Sequence, residues 1–309
     1  MGNPMNSAQF VRLLDKRLTD VSDQEAKLQE LSAMIPKLFN VVSSDSAFEE
    51  FFYTTGVGDI PAFNGKITYL EVFPGFHKKV EHKEYAGGLQ AERKLIEDKK
   101  YGVLDNRAAQ LMRAAYRTQE KTAARAFTNA GSTAFDFMSS EEGKALCSST
   151  HLTKSGVSTS TGFDNTGSSA LSKTALSALR LKCRKFKTDI GERYQGWDNI
   201  GLIVPDNLAD TAFEIVNSTL DPTSANNTVN MSKGRYQVIP YMRLDDTDTN
   251  DWYLVDLDDM KDNLVWFNRV KPESKNTVDW DTYNLLQAIY FRSSYGFKDW
   301  RFIAKSTVS

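Results

Sequence analysis

Apolar positions follow two rhythms along this chain, and the switches between them lay out its elements. Over residues 7–34 the rhythm is helical. Phe10, Leu13, Leu14 and Leu18 share one face, as do Leu28, Leu31 and Ile35, with Asp20 and Ser22 placed as caps between two short helices. Such a stretch fits either a mobile arm laid on a neighbour or the first helices of the core. Residues 48–65 read as an irregular, aromatic-rich approach ending at the turn pair Asn64-Gly65. The period then shortens to two. Ile67 to Phe73, the Pro74-Gly75 turn and His77 to Tyr85 predict a β-hairpin over about 66–86. Its second strand is too polar for a core, and an isolated hairpin is marginal in water, so it needs another surface.

Residues 103–128 carry the clearest helical pattern. Asp105 is placed to cap it, and Ala108, Leu111, Met112, Ala115, Thr122, Ala123 and Ala126 line a narrow face of small residues. Residues 148–170 are rich in Ser, Thr and Gly, a linker composition that marks a domain boundary. Beyond it, helices over about 172–187 (Ser172 as cap) and 207–217 alternate with strands at 201–204, 236–239, 252–255 and 264–267. This is an α/β block with a central sheet. Residues 285–295 and 300–304 read as two closing strands that return to the 103–128 helix and leave the block as an insertion.

Composition narrows the class. The 309 residues are 40% hydrophobic, 11% aromatic and 25% charged, which describes a folded globular chain long enough for about two domains. The net charge of −2 gives no global case for a nucleic-acid reader or a binder of anionic membranes. Cys147 and Cys183 make neither a disulfide framework nor a zinc site and read as free thiols. No secretory signal pattern opens the sequence and no apolar run approaches a membrane span, so synthesis in a cytosol is expected and no membrane partner. The glycosylation triplets at Asn217, Asn226 and Asn230 read as chance matches.

Catalytic signatures are missing one by one: no G-x-S-x-G elbow, no H-E-x-x-H, and at Gly58–Lys66 the wrong glycine spacing for a phosphate loop, with Ile67 where a hydroxyl is needed. His77 and His82 are an odd step apart and face opposite sides of a strand, which separates them as metal ligands. His151 near Cys147 lies in loop composition with no orienting third group. The acidic run Asp245–Asp251 lacks the central Gly and terminal Glu of a calcium loop and reads as a solvated turn. No catalytic, cofactor or metal site is expected.

What remains is the distribution of charge. Lys78 to Arg125 holds twelve basic residues against seven acidic, whereas Asp245 to Asp262 holds eight Asp and one Lys. Arg113, Arg117, Lys121 and Arg125 recur every fourth residue as a basic stripe, either solvated or answered by another subunit's carboxylates. Opposite patches on separate elements suit contacts between different surfaces of identical subunits. The candidate interface residues are therefore Lys78, Lys79, Lys83, Arg113, Arg117, Lys121, Arg125, Asp245, Asp246, Asp248 and Asp251.

The order of elements resembles the major capsid proteins of tailed bacteriophages, with their Hong Kong 97-type α+β fold. Four runs carry the likeness: Leu202-Ile203-Val204-Pro205 with Leu208 and Ala212; Asn226 to Asn230; Gly234 to Pro240; and Asp251 to Asp256. With Ala145 to His151 they are similar to the phage Mu-like head-protein group, over roughly residues 45 to 305. The resemblance implies an N-terminal arm (1–45), an extension loop (46–100) and a peripheral domain (101–169 and 271–309) with a spine helix at 103–128. It also implies an axial domain (170–270). The expected function is a non-enzymatic shell subunit forming hexamers and pentamers of an icosahedral head around double-stranded DNA, assembled in the host bacterial cytoplasm. Portal, scaffold and decoration proteins are the further partners implied. No Lys–Asn–carboxylate trio aligns for cross-linking. An encapsulin-type compartment and a soluble enzyme with an unrecognised site are the alternatives.

Overall fold

The computed structural model describes residues 7–54, 56–98, 101–220, 228–279 and 281–308. The chain opens with α1 (Ser7–Ser32), α2 (Ile35–Leu38), β1 (Asn40–Ser43) and β2 (Phe48–Phe51). After a long loop come β3 (Lys78–Glu81), β4 (Lys83–Ala91), α3 (Arg93–Glu97) and α4 (Tyr101–Thr128). Next follow β5 (Met138–Ser140), β6 (Thr166–Gly167), α5 (Lys173–Cys183), β7 (Ile200–Val204) and α6 (Ala209–Asn217). The remainder is β8 (Tyr236–Pro240), β9 (Trp252–Asp256), α7 (Leu257–Asn263), β10 (Leu264–Val278), β11 (Leu285–Phe297) and β12 (Ile303–Ser306).

These strands form three sheets, ordered β1-β10-β11-β4, β6-β12-β9-β7-β8 and β2-β3-β5. β7, buried at every position, runs between parallel β8 and antiparallel β9. That is why it reads as an unbroken apolar run rather than an alternation. Ser172 caps α5 by accepting from the Ala175 amide, as its position before the helical pattern predicts. A core of aromatic rings joins the sheets to α4. Phe127 meets Phe39, Tyr241 and Tyr253 edge-on, and Phe39 meets Trp266.

Several expectations change. Residues 7–32 are one helix, not two, lying parallel to α4, with Arg17 on Asp105, Glu25 on Arg113 and Tyr116 on Glu30. Ser22 is therefore a buried mid-helix residue, and Asp105 an ion-pair partner rather than a cap. Leu28 and Leu31 are exposed. The hairpin over 66–86 does not form. Residues 67–73 are in no strand, whereas β3 pairs with β2 and β5, and β4 with β11. The apolar run at 67–73 has no strand of its own chain to pair with, and sheet geometry without a ladder is not stable. Nor is the 148–170 stretch a loose linker. Phe163 and Asn165 are fully buried, and the Asn165 amide donates to the carbonyls of Leu146 and Ile303. Finally, the two closing strands part company, β11 in the four-stranded sheet and β12 in the five-stranded one. β12 joins β9 there, while β10 continues past residues 270 and 271, with register shifts on β11 between Asn268 and Val270 and between Val270 and Glu273. The Asn226-Asn227 pair lies outside the described residues.

Candidate assembly surfaces

Between β2 and β3 the chain leaves the body from residue 52 to residue 77. It carries Phe52, Val57, Ile60, Phe63, Ile67, Tyr69 and Val72, all exposed, with Ile60 at 88% and Tyr69 at 90%. So dense a set of exposed apolar side chains marks an interaction surface. Loops this long without secondary structure are usually functional.

The two ends of the loop are held together and tied down. Thr54 bridges to Pro74, and the Gly75 amide donates to the Tyr53 carbonyl at 2.8 Å. Only glycine fits at residue 75, since a Cβ there would come within 2.5 Å of the Tyr53 ring. Burial, with the Asp189 and Asp299 carboxylates nearby, raises the pKa of the Tyr53 hydroxyl. Lys78, at the first β3 position, is 3% exposed. Its ammonium donates to the Lys298 carbonyl at 2.8 Å and sits 4.3 Å from the Phe297 ring. Burial pushes its pKa down to about 8, against the pull of Asp299 and Glu142. Arg301, equally buried, bridges Asp299 and Asp189 at 2.9 and 2.8 Å. Lys154 pairs with Glu141, which also accepts from the His77 amide. The loop thus springs from a rigid, ion-paired base.

The eleven residues singled out by charge fall into different situations. Lys78 is buried within its own chain and offers nothing to a neighbour. Lys79 pairs with Glu81 and lies over Phe48, and Lys83 lies over Phe137. The stripe Arg113, Arg117, Lys121 and Arg125 is exposed along α4, as its spacing predicts. Two of its members are answered at home: Arg113 by Glu25 and Arg125 by Asp136. Arg117 and Lys121 have no ion-pair partner among the described residues. The acidic turn is mostly consumed internally. Asp245 accepts from the Asp206 and Asn207 amides, and Asp248 accepts from those of Asn250 and Asp251. Asp251 is buried against Lys305 at 2.6 Å, so it too is a fold residue. Asp246, paired loosely with Arg243, is exposed. The stripe and the turn form no pair with each other among the described residues.

The histidines are structural. His82 is buried between the Ser44 and Ser294 hydroxyls. His77 stacks on Phe52. His151 does have an orienting carboxylate, Glu142 at 2.9 Å, and stacks flat on Trp300 at 4.0 Å. Burial nonetheless pushes the Cys147 thiol up to about 12, which leaves it un-ionised and a poor nucleophile. No metal-binding group of three acidic, His or Cys residues occurs among the described residues, and none of their helices is long and apolar enough to cross a membrane. One group escaped the sequence reading: Arg180, Lys182, Arg184, Lys185, Lys187 and Arg193, a second basic concentration inside the α/β block. Its density along the chain was the available signal.

Comparison with known proteins places this architecture. The capsid of a native GTA particle superposes with TM-score 0.57 at 12% identity, covering 90% of both chains. The structure from Mycobacterium phage Cain gives 0.52 at 12% identity, again with 90% of each chain. The capsid of the cyanophage P-SCSP1u gives 0.55 at 9% identity, covering 90% of this chain and 88% of that one. These likenesses establish the Hong Kong 97-type α+β fold. No curated protein matches the sequence. The family model described as phage capsid protein matches residues 78–306, most of the length, and so the chain belongs to the phage capsid protein family.

Proposed function

We propose that this chain is the major shell subunit of a tailed-phage head, assembling into hexamers and pentamers that enclose double-stranded DNA. The observation that carries this reading is the loop from 52 to 77, whose apolar side chains are exposed above an ion-paired base; in the proposed shell another copy of the chain covers them. Residues 1–45 act as the N-terminal arm, 46–100 as the extension loop, and 101–169 with 271–309 as the peripheral domain. The axial domain is 170–270, and β12 of the peripheral segment reaches across to pair with its β9. Lys83, Arg117 and Lys121, which have no ion-pair partner among the described residues, are the charged candidates left to meet neighbours. The role is structural rather than enzymatic, within the virion, after assembly in the bacterial cytoplasm. Portal, scaffold or decoration proteins complete the head. Within the family, the runs around Val204-Pro205 and Gly234 to Pro240 favour the phage Mu-like group.

Negative-stain microscopy of the purified protein tests this directly. Closed shells with nuclease-protected nucleic acid are expected. Shells filled with protein cargo favour an encapsulin-type compartment, and a stable monomer at high concentration in every salt overturns the assembly reading.

A further inference from the structure

In the α/β block, the segment after α5 turns back on itself at residues 188–192. The Gly191 amide donates to the Thr188 carbonyl and the Thr188 amide to the Glu192 carbonyl. Gly191 sits at φ +89°, a left-handed conformation that side chains resist. An antiparallel bridge sets Lys187 opposite Arg193. Residues in direct register across such a bridge lie side by side on one face, and like charges there destabilise the pair. Lys185, in the turn that closes α5, lines the same depression as Lys187.

A depression of about 550 Å³ opens between these side chains and the 160–164 segment, with Lys182 on its wall. The Lys187 amide donates to the Gly162 carbonyl at 3.1 Å, which holds the two segments together. Gly162 is at φ +85°, and a Cβ there would come within 2.8 Å of the Lys185 carbonyl oxygen. The Ser160 and Thr161 hydroxyls complete the rim. Asp164, the one carboxylate in the lining, is already held by Lys182 at 2.5 Å. Lys185, Lys187 and Arg193 have no ion-pair partner among the described residues. Three like charges are gathered around one concavity with no carboxylate paired to them among the described residues.

We propose that this depression binds phosphate groups, taking successive phosphates of a DNA backbone. Cations, hydroxyls and backbone amides are the groups that hold phosphate oxygens. The lining has no aromatic ring on which a base would stack, so the contact is independent of sequence. The open form and the spread of three uncommitted cations suit a run of phosphates rather than one enclosed anion. The proposal rests on the reading of the particle as a DNA container and assigns one place on the subunit where that DNA is touched.

The test is anisotropy of the full-length protein with two 30-base-pair duplexes of different sequence across a salt series. For K185Q/K187Q/R193Q, the slope of log affinity against log salt should fall by about 2.7, and by about 0.9 for each single change, equally for both duplexes. The charge-matched control K37Q/K94Q/K271Q should retain the parent slope. A triple variant indistinguishable from that control overturns the site. So does saturable binding of inorganic pyrophosphate that the triple variant loses while DNA binding is unchanged, which would assign the depression to a small phosphate anion. Microscopy of the same triple variant reports on assembly separately. Intact shells with an unaltered slope remove the phosphate site and leave the shell reading standing.

Discussion

The five-stranded sheet and the loop from 52 to 77 are both rich in apolar residues, but they dispose of them in opposite ways. In the sheet, β7 and β9 are buried at every position, and even polar groups at the edge are consumed, Asp251 by Lys305 and Asn165 by backbone carbonyls. In the loop, Ile60, Phe63, Ile67 and Tyr69 face solvent. The sheet covers its apolar residues within the chain; the loop leaves its own exposed. Charge divides in the same manner. The acidic turn and half of the basic stripe are satisfied at home, while Arg117 and Lys121 have no ion-pair partner among the described residues.

The sharpest way to separate the two regions is to strip the loop of its apolar groups. Replacing Ile60, Ile67 and Tyr69 together by Ser should abolish shell formation in micrographs. Because these side chains touch little in their own chain, subunit stability should stay within about 0.5 kcal/mol of the parent in denaturant titration. The body should respond in the reverse order. Arg301→Met strands Asp299 and Asp189 without their shared cation, and unfolding free energy should drop by about 3–5 kcal/mol, with assembly failing only through the loss of folded subunit. A subunit of normal stability would break the contrast.

A smaller effect comes from His82. Burial, with help from Arg292 and Arg269 and against the pull of Glu49, lowers its pKa from the usual 6.5. The folded state therefore resists a proton that the unfolded chain accepts, and stability is present above pH 6.5 and lost as pH falls toward the folded value. Denaturant midpoints should decline between pH 7 and 5, and His82→Asn should flatten that decline. Ser44 and Ser294, its hydroxyl neighbours, do not titrate there.

How much of this was legible in the sequence follows from what each element needs. Helices α4 and α5 and strands β7 and β9 depend on their own periodicity, and the pattern placed α4, β7 and β9 to within two residues, with α5 ending four residues earlier than expected. Errors arose where a distant segment decides. A lysine beginning β3 reads as surface, yet Lys78 is inward because the 297–299 turn supplies a carbonyl and a ring. A Ser/Thr/Gly stretch reads as linker, yet Asn165 pins 148–170 to Leu146 and to Ile303, the latter more than a hundred residues away. The 67–73 run alternates like a strand, but a strand exists only where another lies beside it. The candidate surfaces fared the same way. The stripe was visible because it follows from helical spacing, but which of its charges were already paired depended on α1 and Asp136.

The central claim is that the loop is covered by a second copy of the chain. Hydrogen exchange of the amides from 56 to 73, compared between free subunits and assembled particles, measures that cover. These amides should exchange rapidly in the free subunit and be protected by at least a hundredfold in the particle, while β7 is protected in both states. Equal, rapid exchange of the loop before and after assembly would contradict the account.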